Sequence, residues 1–178
     1  MIENNKSKII HVQVIGCQAQ FTSYSAVLAP KIGPLGLSPR LVAHEIMHLT
    51  KEWKDVRVKC KIVVNLDERK FQVEVIPSCA SYIIRALMKS NSIFSSMPFN
   101  NRHTRHSLIK AYKQCNLTMD QVVEIARCMR SRSRAKEFKG CVIEVLGTCV
   151  SVGCKVENQD PRHVQQLLLF GFLSVPVE

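Results

Sequence analysis

Apolar and polar residues alternate in three stretches of the first half of the chain. In KIIHVQVI, the residues Ile10, Val12 and Val14 share one face, as they would on a strand with one buried side. The stretches VRVKCKIVV and FQVEVIP alternate likewise and are joined by the polar segment NLDERK, which is typical of a hairpin. The apolar positions of the hairpin are Val56, Val58, Cys60, Ile62 and Val64, followed by Phe71, Val73 and Val75. The pattern therefore predicts three strands.

A helical period lies between the first strand and the hairpin. Ser38 is the predicted N-cap and Pro39 the first helical residue, and the helix is predicted to continue to Lys54. At about 100° per residue, one apolar stripe contains Val42, Ile46, Leu49 and Trp53. This stripe is expected to cover the sheet.

Beyond the hairpin the apolar positions follow a helical period. SCASYIIRALM predicts a short helix, and Thr118 with Gln121 forms a capping box before the next one. A further helix is predicted to end at Gly153, and the last to begin at the cap Asp160 and to end before Gly171. The apolar stripes are Val122, Ile125, Ala126 and Met129 after the capping box, then Phe138, Val142, Val145 and Cys149.

The stretch KSNSIFSSMPFNNRHTRHSLIK shows no sustained period and is interpreted as a linker. We therefore predict an α+β protein whose N-terminal domain, residues 1–84, has a three-stranded sheet and a covering helix. An extended linker at 85–117 leads to an all-α C-terminal domain at 118–178.

Charge is the strongest global property of the chain. The net charge of +11 and the pI near 9.5 favour a polyanionic partner, either nucleic acid or an anionic surface. The chain contains no run of 18 apolar residues and no apolar N-terminal segment, so a soluble intracellular protein is expected. The eight cysteines form no CxxC pair and are interpreted as small apolar core residues, with no metal site.

The segment HEIMH raises the alternative of a zinc hydrolase, in which His44 and His48 bind zinc and Glu45 serves as general base. Glu68 is a candidate third ligand. On the predicted helix, however, both histidines lie opposite the apolar stripe and face solvent, and Glu68 lies at a hairpin tip. The pattern favours a solvated helix face.

Basic residues concentrate in RCMRSRSRAK, where the arginines are interspersed with serines and precede the first carboxylate, Glu137. Guanidinium groups match phosphate oxygens, and hydroxyls add neutral donors. The segment favours nucleic-acid binding over a solvated helix face.

Gly147 interrupts a strong helical pattern at a cost of about 1 kcal/mol relative to alanine. One hypothesis is that Gly147, with Thr148 and Ser151 nearby, lets the helix approach an RNA backbone or minor groove. Tight packing against another helix explains the glycine equally well.

The segment LAPKIGPLGLSP is rich in proline and glycine. The segment reads as a stiff exposed loop, which suits either a docking surface or a simple connector.

The stretches LAPKIGPLGLSPRLVAHEI and IARCMRSRSRAKEFKGCVIEVLGTCVSVGCKV resemble the eukaryotic form of the stalk-base protein of the large ribosomal subunit, in the universal L-eleven family. The resemblance continues through EWKDVRVKCKIVVN, QVEVIPSCASYIIRAL and DPRHV, and covers about residues 25 to 170 in order.

The resemblance implies an N-terminal α/β domain and a C-terminal domain that binds the GTPase-associated region of large-subunit rRNA. It implies two further partners, the acidic stalk protein and the translational GTPases, and a cytosolic ribosome as location. Matching RNA-contacting positions are Arg130, Arg132, Ser133, Arg134, Gly147, Thr148, Ser151 and Gly153. Matching factor-facing and stalk-facing positions are Pro30, Gly33, Pro34 and Pro39.

Three departures from the family pattern stand out. Val150 takes the place of a polar or basic residue, which puts one RNA contact in question. The linker is longer than usual and lacks a lysine-rich run, although it keeps Arg102, Arg105, Lys110 and Lys113. The expected glycine-rich turn is altered near GCQAQFTSYS.

The leading hypothesis is a non-enzymatic ribosomal protein that binds rRNA without a cofactor, membrane or small-molecule substrate. The alternatives are the zinc hydrolase and an RNA-binding paralogue that has left the ribosome.

Overall fold

The computed structural model describes residues 7–16, 21–66, 69–90 and 112–175. These residues fall into two compact units, one that ends at Ser78 and one that begins at Cys79. The predicted α+β class is confirmed, because the first unit is built on a sheet and the second is helical.

Three antiparallel strands form the sheet of the N-terminal unit. β1 (Ser7–Ile15) pairs with β2 (Arg57–Asn65), which pairs with β3 (Lys70–Ile76), in the order β1-β2-β3. Alternation fixes the register, so that Val12 lies opposite Cys60 and Ile62 opposite Val73. The buried face contains Val12, Val14, Val58, Cys60, Ile62 and Val64, in agreement with the sequence pattern.

Two helices pack in the same unit. α1 (Phe21–Ile32) is followed by a 3-10 turn (Gly33–Leu35), by α2 (Pro39–Leu49) and by a second 3-10 turn (Lys51–Trp53). α1 packs against α2, and α2 against β3. The covering helix is confirmed, with Val42 and Ile46 fully buried.

The predicted helix is too long at its C-terminal end. α2 ends at Leu49, and at this end the Thr50 backbone N–H and hydroxyl both donate to the Ile46 carbonyl. Leu49 is consequently exposed, and Trp53 reaches the core from the 3-10 turn. Ser38 occupies the cap position with Pro39 first in the helix, but its side chain makes no capping hydrogen bond.

The Trp53 turn also touches the end of β1. The Gly16 N–H donates to the Val56 carbonyl at 2.8 Å, and a Cβ atom at Gly16 would collide with the Trp53 carbonyl. A glycine is therefore required at this approach.

In the described part of the C-terminal unit, the helices are α3 (Cys79–Ser90), α4 (Met119–Met129), α5 (Phe138–Val152) and α6 (Pro161–Leu169). A two-residue parallel pair, β4 (Asn116–Leu117) with β5 (Lys155–Val156), joins the chain before α4 to the chain after α5. The predicted stripe Phe138, Val142, Val145 and Cys149 is buried in the core, together with Ile83, Leu87 and Leu168.

The ends of these helices follow the sequence signals. The Thr118 side chain accepts from the Gln121 N–H and the Gln121 side chain accepts from the Thr118 N–H, so the capping box is present. Asp160 caps α6 by accepting from the Arg162 N–H, and Gly153 ends α5 with a φ of 91°.

The boundary between the units differs from the predicted one at residue 84. All of α3 belongs to the C-terminal unit, because Ile83 and Leu87 are fully buried in its core. The first part of the predicted linker is therefore helix, up to Ser90. Residues 91–111, which include Arg102, Arg105 and Lys110, lie outside the described residues.

This boundary predicts how fragments behave. A fragment of residues 79–178 retains α3, whereas a fragment of residues 85–178 loses half of this helix and the Ile83 side chain. We expect the free energy of unfolding of the shorter fragment to be lower by about 2 to 5 kcal/mol, the range for truncating a large buried side chain. Urea unfolding followed by circular dichroism measures the difference. Equal midpoints would place the boundary at residue 84.

Candidate nucleic-acid interface

The basic residues lie in a short segment between α4 and α5, here called the arginine loop (residues 130–136). It begins as a 3-10 turn at Arg130–Arg132 and becomes extended at Ser133, whose N–H donates to the Met129 carbonyl at 3.0 Å. The loop therefore follows α4 without a break in hydrogen bonding, and its geometry is fixed from that helix.

The first arginine of this loop braces the loop itself. The Arg130 guanidinium donates from Nη1 to the Ala135 carbonyl at 2.8 Å and from Nη2 to the Lys136 carbonyl at 3.0 Å. Hydrogen bonds from a charged group are stronger than those between neutral groups. Arg130 thus holds the loop in shape, and its guanidinium is half-buried.

Ser133 ties the loop to α5. Its hydroxyl donates to Glu144 Oε2 at 2.7 Å and accepts from the Ala135 N–H at 3.1 Å. The hydroxyl, predicted from sequence to contact RNA, is therefore engaged within the protein. The exposed cations of the loop are Arg132, Arg134 and Lys136.

Gly140 lets the arginine loop pack closely on α5. The sequence pattern does not indicate a role for this glycine. A Cβ atom at Gly140 would lie 2.8 Å from the Ala135 Cβ, a separation that requires the loop to shift. Gly140 is the first glycine of α5, and nothing in its local sequence distinguishes it from Gly147. Gly140 differs from Gly147 in that the arginine loop packs against it, and this contact is visible only in the folded structure.

Gly147, in contrast, opens onto solvent. The nearest atom to a Cβ placed there is Gln165 Nε2 at 3.5 Å, an ordinary van der Waals contact. Gln165 Nε2 is itself held by the Ile143 carbonyl at 2.9 Å. Tight helix packing therefore does not explain this glycine, and the hypothesis of close approach by a ligand remains.

Two hydroxyls flank this open backbone. Thr148 Oγ1 donates to the Glu144 carbonyl at 3.2 Å, and Ser151 Oγ donates to the Thr148 carbonyl at 2.7 Å. The exposed Ser151 hydroxyl keeps acceptor lone pairs for an incoming donor such as a ribose 2′-OH, whereas the half-buried Thr148 hydroxyl also interacts with the Cys79 thiol. We call Gly147, Thr148 and Ser151 the glycine face.

The arginine loop and the glycine face meet at one residue. The Glu144 carboxylate accepts from Ser133 of the loop, and the Glu144 carbonyl accepts from Thr148 of the face. The exposed Glu144 side chain thus lies one turn from Gly147. The fold brings these predicted site residues together on one side of α5, with Gly153 as the helix end.

The proline segment differs from the predicted loop. Pro30 lies inside the last turn of α1, Gly33 and Pro34 form the 3-10 turn, and Pro39 begins α2. The first three are exposed and Pro39 is half-buried. The prolines are thus held by two helices and a turn, and they belong to the N-terminal unit, whereas the arginine loop belongs to the C-terminal unit.

The fold does not support the alternative of a zinc hydrolase. His44, Glu45 and His48 are exposed, as predicted, and Glu68 lies outside the described residues. Across the part of the chain that the structure describes, no three His, Cys, Asp or Glu side chains form a group able to hold a metal ion.

Cys60 and Cys149 have thiols of raised pKa, whereas the hydrogen bond with Cys149 lowers the pKa of the Cys154 thiol. Burial raises the pKa of the Cys60 thiol to about 11. The hydrogen bond with Cys154, and then burial, raises the pKa of the Cys149 thiol. Both groups are neutral at physiological pH and act as small apolar residues. None of the described helices is long and apolar enough to cross a membrane.

Comparisons with known proteins match both units. Residues 10–71 match the family described as ribosomal protein L11, N-terminal domain, and residues 75–156 match ribosomal protein L11, RNA binding domain. The chain is 40% identical to large ribosomal subunit protein uL11 of Neurospora crassa over 98% of this chain and 96% of that protein. It is 40% identical to uL11z of Arabidopsis thaliana, over 94% and 92%, and 34% identical to uL11 of Caenorhabditis elegans, over 96% and 94%.

The two glycines of α5 provide a matched pair for a stability test. Gly140→Ala should destabilise the C-terminal unit by roughly 1 to 3 kcal/mol, the cost of overpacking, because the new methyl meets Ala135. Gly147→Ala should stabilise it by up to about 1 kcal/mol through helix propensity. Thermal melts of the two variants beside the native chain measure both changes. Destabilisation by Gly147→Ala would restore the packing explanation.

Proposed function

The chain belongs to the ribosomal protein L11 family, and from this membership we propose that it binds the GTPase-associated region of large-subunit rRNA at the base of the ribosomal stalk. As a member of the family it is a structural, non-enzymatic constituent of the large ribosomal subunit that binds rRNA. The proposal concerns which RNA element and which partners it contacts.

The observation that carries the proposal is the junction at Glu144, where the arginine loop and the glycine face meet on one side of α5. A cationic loop supplies phosphate contacts, and an adjacent strip of bare helix backbone lets a groove approach closely. Ser133 of the loop and Thr148 of the face both donate to Glu144, so a ligand that reaches one feature lies close to the other. This junction lies within the stretch that matches the RNA-binding domain of the family.

The proposed site residues divide into two roles. Arg132 and Arg134, which are exposed, contact phosphates, and Gly147, Thr148 and Ser151 contact sugar and backbone. Three further residues position these groups: Arg130 through the loop carbonyls, Ser133 through Glu144, and Gly153 by ending α5. We expect positioning residues to affect stability and binding together, and contact residues to affect binding alone.

We assign the proline segment of the N-terminal unit to the acidic stalk protein and the translational GTPases. This assignment is supported by the exposure of Pro30, Gly33 and Pro34, which lie on a segment whose backbone is held by α1 and α2. A rigid exposed segment loses little conformational entropy on docking. The corresponding location of the protein is the cytosolic ribosome.

Cosedimentation with large ribosomal subunits in high salt tests the function. We expect the tagged chain to remain with the subunit through a high-salt sucrose cushion and to protect the GTPase-associated region from hydroxyl-radical cleavage. A chain that stays at the top of the gradient while it binds other RNAs would indicate a paralogue outside the ribosome. Protection of a different rRNA element would contradict the proposed site.

Gly147→Ala should weaken binding of the whole chain to a transcript of this rRNA region by about tenfold or more, equivalent to about 1.4 kcal/mol, because the methyl occupies the space of the RNA backbone. Gly33→Ala is the matched control, since a Cβ at Gly33 meets no atom within 4 Å in the N-terminal unit. Fluorescence anisotropy titrations give both affinities. An unchanged affinity for Gly147→Ala would remove this residue from the interface.

A further inference from the structure

A shallow cleft lies beyond the glycine face, where the last turn of α5 meets the start of α6. We call it the cation cleft. Its lining comprises Lys113, Val150, Gly153, Cys154, Lys155, Asp160, Pro161 and Arg162. The two lysines and the arginine are exposed, whereas Val150, Gly153, Cys154 and Pro161 are half-buried or buried. The cleft therefore has a charged rim and a largely apolar floor.

Three different elements hold the cations of this rim. Lys155 belongs to β5, and its N–H donates to the Cys115 carbonyl at 2.9 Å. Lys113 lies in the turn before Cys115, with its Cγ 3.7 Å from the position of a Cβ at Gly153. Arg162 is the second residue of α6, and its N–H donates to the Asp160 carboxylate at 2.9 Å. Hydrogen-bonded backbone thus fixes the origin of the Lys155 and Arg162 side chains.

The residues that line the cation cleft carry more positive than negative charge. Asp160 is the one carboxylate in the lining, and one of its oxygens is engaged as the helix cap. Within the described residues, Lys113, Lys155 and Arg162 form no ion pair with a carboxylate. Exposed like charges that converge without a counter-charge attract an anion. This contrasts with Arg130, whose guanidinium is bound to loop carbonyls.

The cleft borders the last turn of α5, the helix that carries the glycine face. Ser151 lies four residues after Gly147, a rise of about 6 Å along the axis, and Val150 and Gly153 border the cleft on that turn. Val150 itself offers no charge. The cations of the cleft come instead from the turn before β4, from β5 and from α6.

We propose that the cation cleft binds a backbone phosphodiester of the RNA that lies on the glycine face, with Lys113, Lys155 and Arg162 as its ligands. The inference rests on the proposed RNA-binding function and extends the interface from α5 onto β5 and α6. Lys113 and Lys155 lie within the stretch that matches the RNA binding domain of the family, and α5 carries the glycine face beside the cleft, which together favour an RNA strand over an acidic protein segment as the occupant.

The test removes two cations from the cleft of the full-length chain. The double variant Lys155→Ala with Arg162→Ala is titrated with a transcript of the GTPase-associated region at several salt concentrations. The matched control is Arg40→Ala with Lys51→Ala, which removes the same charge from exposed positions of the N-terminal unit. A second variant, Lys155→Arg with Arg162→Lys, keeps the charge. Melting temperatures verify that all variants are folded.

We expect the double alanine variant to bind about tenfold or more weakly near 0.1 M salt. The slope of log K against log salt should fall in magnitude by roughly 1.4 to 1.8, the value for two lost phosphate contacts. The control should change neither quantity, and the charge-keeping variant should retain the native slope.

Three outcomes would contradict the inference. If the double alanine variant behaves like its control, the cleft is not part of the interface. If affinity falls with the slope unchanged, the contacts are not to phosphate. If the native RNA affinity is kept and binding of the acidic stalk protein is lost, the occupant is a protein. Failure of the native chain to bind the transcript would instead refute the proposed function on which the inference rests.

Discussion

The two hydrogen bonds from the Arg130 guanidinium to the Ala135 and Lys136 carbonyls hold the arginine loop, and the basic side of the C-terminal unit depends on them. A loop of closely spaced cations repels itself and, left free, would sample many conformations. Hydrogen bonds that involve a charged group contribute about 1.5 to 3 kcal/mol each, which is enough to select one. The exposed arginines are thereby presented before any ligand arrives.

The same brace explains why α5 carries two glycines with different purposes. Arg130 draws Ala135 toward the helix, and Gly140 provides the space for it. One turn after Glu144, Gly147 provides space that no protein atom fills more closely than 3.5 Å. α5 is therefore packed against the protein at Gly140, near its start. At Gly147, in its middle, its backbone is open to a ligand.

Local patterns predicted most of the fold, because they act over a few residues. Strand alternation, the capping box at Thr118, the cap at Asp160 and the end of α5 at Gly153 all depend on neighbours in sequence, and the structure confirms them. The errors concern tertiary effects. The sequence pattern predicts Pro30 in a loop, although it lies within α1, and it predicts a domain boundary at residue 84, inside α3, although Ile83 and Leu87 pack into one core.

The candidate site was predictable only in part for the same reason. Residue types and spacing indicated the arginines and Gly147, but the engagement of Arg130 and Ser133 depends on where carbonyls and Glu144 lie after folding. The cation cleft is more remote still, because Lys113 and Lys155 are far apart in sequence. They come together only through the pairing of β4 with β5.

That pairing has a consequence for synthesis. α5 is made before β5, which pairs with β4, and before α6, whose buried Val164 and Leu168 complete the C-terminal core. A nascent chain that has reached Val152 therefore has α3 and α4, which pack against α5, but lacks β5 and α6. Since domains fold as units during synthesis, α5 should not reach its full packing until α6 has emerged. Nascent chains of increasing length would then gain protease resistance in this unit in a single late step.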